Sequence, residues 1–347
     1  MAQRRLRTVV LGCGAIAQRR HVPEYANRKD IELVALVDPK LDRAKELAAL
    51  YKVPAAFPDY RPALKLKPDL VSVCSPNAYH AAQTIAALRG GAHVLCEKPM
   101  AVSMKEARAM IAAAKAAGRQ LMIGQNQRMA PSHVRGKQIY HSGILGRCLG
   151  FRATFAHGGP ELWSVDGPRC QFFKKREAVL GSMADLGVHK LDLVRWLLDD
   201  DFVTAAGFYG RLDKSPRCEV EDTAFAVLTT ERGTMGSLFA GWIYKVGCDN
   251  STVLYCQKGQ LRLEDDPQYP VIVEMADGER QFIRTGASGT TKENQASSGI
   301  VDAFVGAVQS GRRVPIPGED AANSLAAVLA CIQSADTGRI VRVQNVR

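Results

Sequence analysis

The sequence predicts an α/β protein in two parts. Residues 1–125 should form a doubly wound parallel sheet, and residues 126–347 an α+β domain with a mixed or antiparallel, open-faced sheet. Three observations carry this expectation. Short apolar runs alternate with longer amphipathic stretches up to residue 125. Beyond it, runs of alternating polarity follow one another through short turns. A glycine turn also sits where the first apolar run meets the first amphipathic stretch. At 347 residues the chain exceeds the roughly 250–300 residues that a single core fills, so two cores are expected.

The runs RTVVLGCG, IELVALVD, LVSVCS, HVLCEK and QLMIGQ are rich in Val, Leu and Ile and carry no polar alternation. Strands buried on both faces of a parallel sheet have that composition. Between them Ala15–Tyr25, Leu41–Leu50, Asn77–Arg89 and Ser103–Ala117 read as helices. The last has Ser103 as its cap, Glu106 three residues on and Gly118 as its stop. Repeated strand–helix–strand units of this length wind on both sides of one sheet. After residue 125, helices near Pro131–His141 and Gly187–Leu198 separate strand-like runs. These are Leu149–Ala156, Val203–Tyr209, Thr223–Thr230, Met235–Trp242, Thr252–Cys256 and Val271–Met275. Turns as short as Glu231-Arg232-Gly233 imply antiparallel or mixed pairing. Helices near Ile300–Ser310 and Asp320–Thr337 lead to a final strand, Ile340–Val343.

Composition narrows the function. A hydrophobic content of 46% and a charged content of 23% are ordinary for a globular protein, and no apolar run approaches a membrane span. MAQRRLR runs straight into the first strand with no apolar targeting core, so a cytoplasmic location is expected. Nine cysteines, with no CxxC pair and no zinc-like spacing to the seven histidines, suggest a reducing compartment and no structural metal. The net charge of +11 is spread along the chain without a basic run, which argues against nucleic acid and leaves an anionic sugar derivative as a use for it.

Gly12-Cys13-Gly14-Ala15-Ile16-Ala17 follows the first strand and opens the first helix, as in a Rossmann dinucleotide site. The glycines allow a tight turn and close approach of a pyrophosphate to the helix N-terminus. Asp38 ends the second strand, 21 residues past Ala17, where a carboxylate accepts from both ribose hydroxyls of NAD and repels the extra phosphate of NADP. Lys40 and Arg43 lie close enough to leave NADP open. Ligands of such sheets bind beyond the carboxyl ends of the strands. That rule places Ser75, Pro76, Asn77 and His80, then Glu97 and Lys98, then Gln125 beside the cofactor, although Ser75-Pro76-Asn77 could equally just start a helix. Further on, Asp185, His189, Asp192 and Trp196 recur at spacings of four, three and four, a narrow polar stripe between apolar flanks. Such a seam belongs in a cleft or an interface. A helix cap for Asp185 and a satisfied core histidine are the plainer alternatives.

GCGAIA, the strand ending in Asp38, SPN with His80, and EKP together resemble the Gfo/Idh/MocA oxidoreductase family. IGQNQRMAP, GSMADLGVHKLDLVRWLL and VEDTAF resemble further family segments in order, so the likeness covers essentially the whole chain. It implies an NAD-dependent dehydrogenase or reductase acting on a secondary alcohol or ketone of a sugar, inositol or related polyol. It carries three catalytic and substrate-binding roles onto matching positions: Lys98, to polarise the reacting oxygen or relay the proton, Asp185, to orient the group, and His189, to take its proton. Arg128 is expected either to contact substrate or to pack at the domain junction. Trp163 and Trp242 offer rings for a sugar to stack on, and His21 is expected to be structural. The stretch Val179-Leu180-Gly181 lacks the glycine-rich run common before this helix, and the loop from His157 to Arg176 is long and basic. A homodimer or homotetramer is expected, because open sheet faces usually find a partner. Two other functions compete: a non-catalytic dinucleotide-binding sensor or regulator, and an NAD-assisted glycosidase.

Overall fold

The computed structural model describes residues 4–286 and 298–346. Its first sheet has six parallel strands: β1 (Leu6–Leu11), β2 (Ile31–Val37), β3 (Ala56–Phe57), β4 (Leu70–Val73), β5 (His93–Cys96) and β6 (Leu121–Ile123). Their order is β3-β2-β1-β4-β5-β6. All four residues of β4 are buried, as are Val9 to Leu11 of β1, which explains why these strands read as unbroken apolar runs. The chain changes direction across the sheet between β1 and β4, and the crevice at that switch is where this fold takes a ligand.

Helices α1 (Val22–Ala26), α2 (Leu41–Leu50), α3 (Tyr60–Leu64), α4 (Asn77–Arg89) and α5 (Met104–Ala117) cover the sheet. The bounds of α2 and α4 coincide with those expected. In α5 the Glu106 N–H donates to Ser103 Oγ at 3.3 Å, Gly118 ends the helix at φ +59°, and the capping reading holds. The first helix is less regular: Ala17–His21 winds as a π-helix ahead of α1. β3 and α3, two and five residues long, were too short to leave a periodic signal.

The second sheet contains β7 (Cys148–Ala156), β8 (Phe202–Gly210), β9 (Thr223–Thr230), β10 (Met235–Gly241), β11 (Thr252–Cys256), β12 (Gly259–Leu263), β13 (Val271–Met275), β14 (Arg280–Ile283) and β15 (Val341–Arg342). Its order is β14-β13-β12-β11-β7-β10-β9-β8-β15; β7 and β10 pair in parallel and every other pair is antiparallel, so the sheet is mixed. Helices α6 (Pro131–His141), α8 (Val188–Leu198) and α10 (Gly318–Thr337) close the core over one face, while the short α7 (Lys175–Ala178) lies in the loop after β7. On the other face Phe208, Phe225, Val227 and Tyr255 are each more than 40% exposed. β12 and β14 were not anticipated.

The expected division at residue 125 marks the end of the parallel sheet but not the end of its core. Helix α9 (Ile300–Ser310) and the start of α10 return to it, bringing Ile300, Phe304, Val314, Ile316 and Leu325 under the first sheet. Further along α10, Ala327, Val328 and Cys331 belong to the second core. One helix therefore ties the two cores together. All nine cysteines are free thiols, and no helix among the described residues is long and apolar enough to cross a membrane.

Candidate active site

The glycine turn is built for close approach. A Cβ on Gly12, whose φ is +93°, would lie 2.6 Å from the Cys74 carbonyl oxygen, so only glycine lets β1 turn beside β4. On Gly14 a Cβ would meet nothing within 4 Å, which leaves room over the start of the first helix. Gly14, Ala15 and Ile16 open that helix, and N–H groups of a first turn have no intrahelical partner. The N–H of Cys13, one of the expected cofactor residues, donates to Asp38 Oδ2 at 2.9 Å, while Lys40 N–H donates to Oδ1 at 2.8 Å. Each carboxylate oxygen keeps a further lone pair for a ribose hydroxyl. At the far end of the crevice Gln125 is 2% exposed, and its Oε1 is buried without a partner among the described residues. A clear cradle over Gly14, a carboxylate at the end of β2 and an unsatisfied amide oxygen after β6 together fit a dinucleotide.

Several expected cofactor residues have other partners. Ser75 Oγ donates to Gln83 Oε1 at 2.7 Å, and Asn77 Nδ2 reaches across to the Ala178 carbonyl of α7 at 2.9 Å. Pro76 is the N-cap of α4, with no side-chain cap bond. His80 is 1% exposed and lies within hydrogen-bond distance of two carbonyl oxygens, those of Pro99 and Ser75, at 2.8 and 2.7 Å. That ring has no free edge for a cofactor and instead braces the turn after Lys98. Glu97 points inward, its Oε1 2.9 Å from His21 Nε2. Burial alone would raise the Glu97 carboxyl, but His21 and Lys98 hold it below its ordinary value. His21 is fully buried on Glu97 and Ser72, as a structural histidine should be.

Lys98 leaves the carboxyl end of β5 and crosses to the second domain. Its Nζ donates to Asp185 Oδ1 at 2.8 Å and to the Asp185 carbonyl at 2.7 Å. The Trp242 indole N–H donates to the other carboxylate oxygen, Oδ2, at 3.1 Å. Trp242 has no exposed surface, so it forms the floor under Asp185 and offers no face to a sugar.

Asp185 lies in a π-helical turn, Met183–Gly187, that runs into α8. Its start is held by Glu221, whose Oε1 accepts the N–H groups of Gly181 and Met183 at 2.8 and 3.3 Å. A Cβ on Gly181 would lie 2.0 Å from the Glu221 carbonyl oxygen, so this close approach requires glycine. Burial pushes the Glu221 carboxyl up to about 7.

His189 follows one turn later. It is 6% exposed and its Nδ1 is sealed without a partner among the described residues. Burial drives the imidazole well below its ordinary value, and the charges of Lys98, Lys190 and His133 act in the same direction. The ring is neutral at physiological pH, the form a general base needs.

The polar stripe splits. Asp192, three residues past His189, forms a buried pair with Arg128: the Arg128 Nε and Nη2 donate to the two Asp192 oxygens, both at 2.6 Å. Arg128 is 4% exposed and also pairs with Asp320, contacts that fit packing at the domain junction and not the substrate contact that was the alternative. The π turn rotates Asp185 relative to a regular helix, and α8 is buried on nearly all sides, so Asp185 and Asp192 find separate partners. Trp163 packs edge-on against Phe172 within the long loop, ring centroids 5.0 Å apart.

Two groups escaped sequence reasoning. His157, at the end of β7, senses the charges of Asp185 and Lys98, although burial is the main cause of its lowered pKa. The Phe155 ring stands near both histidines, 6.0 Å from His157 and 5.7 Å from His189. Lys190, next to His189, has no exposure; its Nζ donates to the Asn250 carbonyl at 2.5 Å and to Thr252 Oγ1 at 3.1 Å, and burial pushes it down to about 7. A lysine inside an apolar helix face carries no sequence signal of burial.

Fold and site together define a two-domain, nucleotide-binding oxidoreductase. Residues 6–125 match the oxidoreductase family with NAD-binding Rossmann fold, and residues 133–262 match the GFO/IDH/MocA C-terminal domain. The chain belongs to the Gfo/Idh/MocA family. It is 34% identical over 195 residues to D-glucoside 3-dehydrogenase of Escherichia coli (strain K12), a match spanning 56% of this chain and 54% of that protein. It is 28% identical over 334 residues to inositol 2-dehydrogenase of Gluconacetobacter diazotrophicus, spanning 88% of this chain and 95% of that one. Aldose-aldose oxidoreductase from Caulobacter crescentus superposes with a TM-score of 0.83 at 25% identity, over 98% of this chain and 100% of that structure. Levoglucosan dehydrogenase in complex with NADH shares the fold, with a TM-score of 0.87 at 20% identity over 99% and 100% of the two chains.

Proposed function

We propose that this enzyme uses NAD to oxidise a secondary alcohol of a sugar, an inositol or a related polyol, or to reduce the matching ketone. The supporting observation is the meeting of Lys98 with Asp185 across the domain junction, beside the neutral ring of His189. Sugar and inositol dehydrogenases among its relatives support the substrate class. Bound along the crevice at β1 and β4, NAD would accept or return the hydride. Gly14, Ala15 and Ile16 would hold its pyrophosphate, Asp38 its ribose, and Gln125 the amide end. Ser75, Pro76 and Asn77 would border it.

The chain's own groups handle the proton. Lys98 brings a fixed positive charge to the reacting oxygen, and Asp185 orients both the lysine and a substrate hydroxyl. His189 takes the hydroxyl proton at Nε2 on oxidation and returns it on reduction. Phe155 and the buried Trp242 keep water from this corner. Trp163 would border the substrate from the loop. A binding-only sensor has no use for a desolvated base beside an amine, and the curated relatives are named as dehydrogenases and reductases, which disfavours both the sensor and the glycosidase. We also place the enzyme in the cytoplasm, on its free thiols, and infer a homodimer or homotetramer joined through the exposed sheet face carrying Phe208, Phe225 and Val227.

The test is NADH formation from NAD across inositols, hexoses and sugar acids, with His189→Asn as control. At least one compound should be oxidised, and the variant should bind NAD normally yet lose roughly 10²–10⁴ in turnover. Undiminished turnover in the variant would remove His189 from the chemistry.

A further inference from the structure

At the ribose end of the crevice a carboxylate arrives from the other domain. Asp166 lies in the long loop after β7, more than a hundred residues from α2 in sequence. Its Oδ1 accepts from Lys40 Nζ and from Arg43 Nη2, both at 2.5 Å. Arg43 also places Nη1 3.8 Å from Asp38 Oδ2, and the Lys40 N–H donates to Asp38 Oδ1. The Arg43 guanidinium thus lies between two carboxylates, and the Lys40 ammonium joins it on Asp166. The contact is partly withdrawn from water: the side chains of Asp166 and Arg43 are 16% and 18% exposed, while Lys40 is 63% exposed.

We propose that Asp166 fills an anion site formed by Lys40 and Arg43, and that this built-in anion is what makes the enzyme select NAD over NADP. The proposal rests on the dinucleotide reading above.

The chemistry is that of a phosphate pocket with an occupant. In Rossmann domains the ribose hydroxyls meet the carboxylate at the end of β2, and an arginine close by is the group that receives a 2′-phosphate. Here that arginine and a lysine converge on a single oxygen, the geometry by which guanidinium and ammonium groups hold a phosphate. Asp38 alone would discriminate weakly, because Arg43 and Lys40 stand ready to neutralise it. With Asp166 in place the cations are already satisfied. A 2′-phosphate must then either break both contacts or share the site with two negative charges. Burial alone would raise the Asp166 carboxyl, but the two cations hold it below its ordinary value, so it stays charged at neutral pH. NAD, bearing only hydroxyls at that position, leaves the contact intact.

Isothermal titration of the full chain with NAD and with NADP, without substrate, tests this directly. In Asp166→Asn the affinity for NADP should rise on the order of tenfold or more, and the NADP-to-NAD ratio with it, since the gain is one like-charge repulsion removed. Replacing Lys40 and Arg43 with Met in the Asp166→Asn background should abolish the gain. Asp166→Glu should retain NAD selectivity. If Asp166→Asn folds poorly, Asp166→Ser makes the same comparison. Unchanged or weaker NADP binding in the variants would reduce Asp166 to a tie between domains and overturn the proposal, as would a gain that survives loss of both cations. If the unaltered chain bound neither nucleotide, the dinucleotide reading itself would fall, and the proposal with it.

Discussion

Replacing Lys98 with Met probes stability and chemistry at once, and the structure separates the two. The lysine is 15% exposed and its partner Asp185 is 6% exposed, so little solvent screens the pair. Removing one member of a buried ion pair costs about 3–5 kcal/mol, because the other is left charged and unpaired. Two features here reduce that figure. Asp185 keeps the Trp242 N–H on Oδ2, and the Lys98 end of the contact retains some access to water. A loss of about 2–3 kcal/mol is therefore expected for Lys98→Met. Asp185→Asn keeps the carbonyl that accepts from Trp242 and removes the charge, so in the double variant most of the loss should be recovered. The coupling between the two sites should be at least about 1.5 kcal/mol. Scanning calorimetry of the four proteins measures it, and the intrinsic fluorescence of Trp242 follows the same event locally. Turnover should drop by roughly 10²–10⁴ in all three variants, so that only stability is rescued. Losses that add to within about 0.5 kcal/mol would mean the two groups do not depend on one another, and the reasoning would be refuted.

Two further expectations concern the scaffold of the site. Gly181→Ala should destabilise the protein by several kcal/mol, about the top of the range for point variants, since its methyl group would meet a backbone oxygen 2.0 Å away; a melting temperature within a degree of the parent would contradict the packing described. Lys190 is held down to about 7 by burial, below its value in the unfolded chain, so the folded state binds fewer protons between that value and the unfolded one of about 10.4. Stability should therefore rise as pH climbs from 7 towards 10, and Lys190→Met should flatten that rise. Because the Lys190 charge also lowers His189, the same variant should shift the acid limb of kcat/KM to higher pH.

Much of this was legible in the sequence. Buried parallel strands leave unbroken apolar runs, and the glycine turn, the caps of α5 and the bounds of α2, α4 and α6 follow from local chemistry that the residues carry with them. The two-residue β3 and the exposed β14 left no such trace. Within the site, the residues at positions 98, 185 and 189 could be singled out through the family resemblance, whereas a strand-end lysine or a histidine on an apolar helix is ordinary by itself. Their partners could not be singled out. Arg128 could touch substrate or pack at the domain junction, and Asp192 could serve as a structural partner for a basic residue; only packing shows that they satisfy each other.

The sequence alone determined the strand–helix alternation and the dinucleotide turn, since each depends on neighbours within a few residues. Tertiary structure decided which charged groups meet. Lys98 and Asp185 are 87 residues apart, and Asp166 meets Lys40 and Arg43 across 126 and 123 residues. Contacts over such separations are set by how two cores pack together, and burial then fixes which charges remain, as the neutral His189 and the depressed Lys190 illustrate.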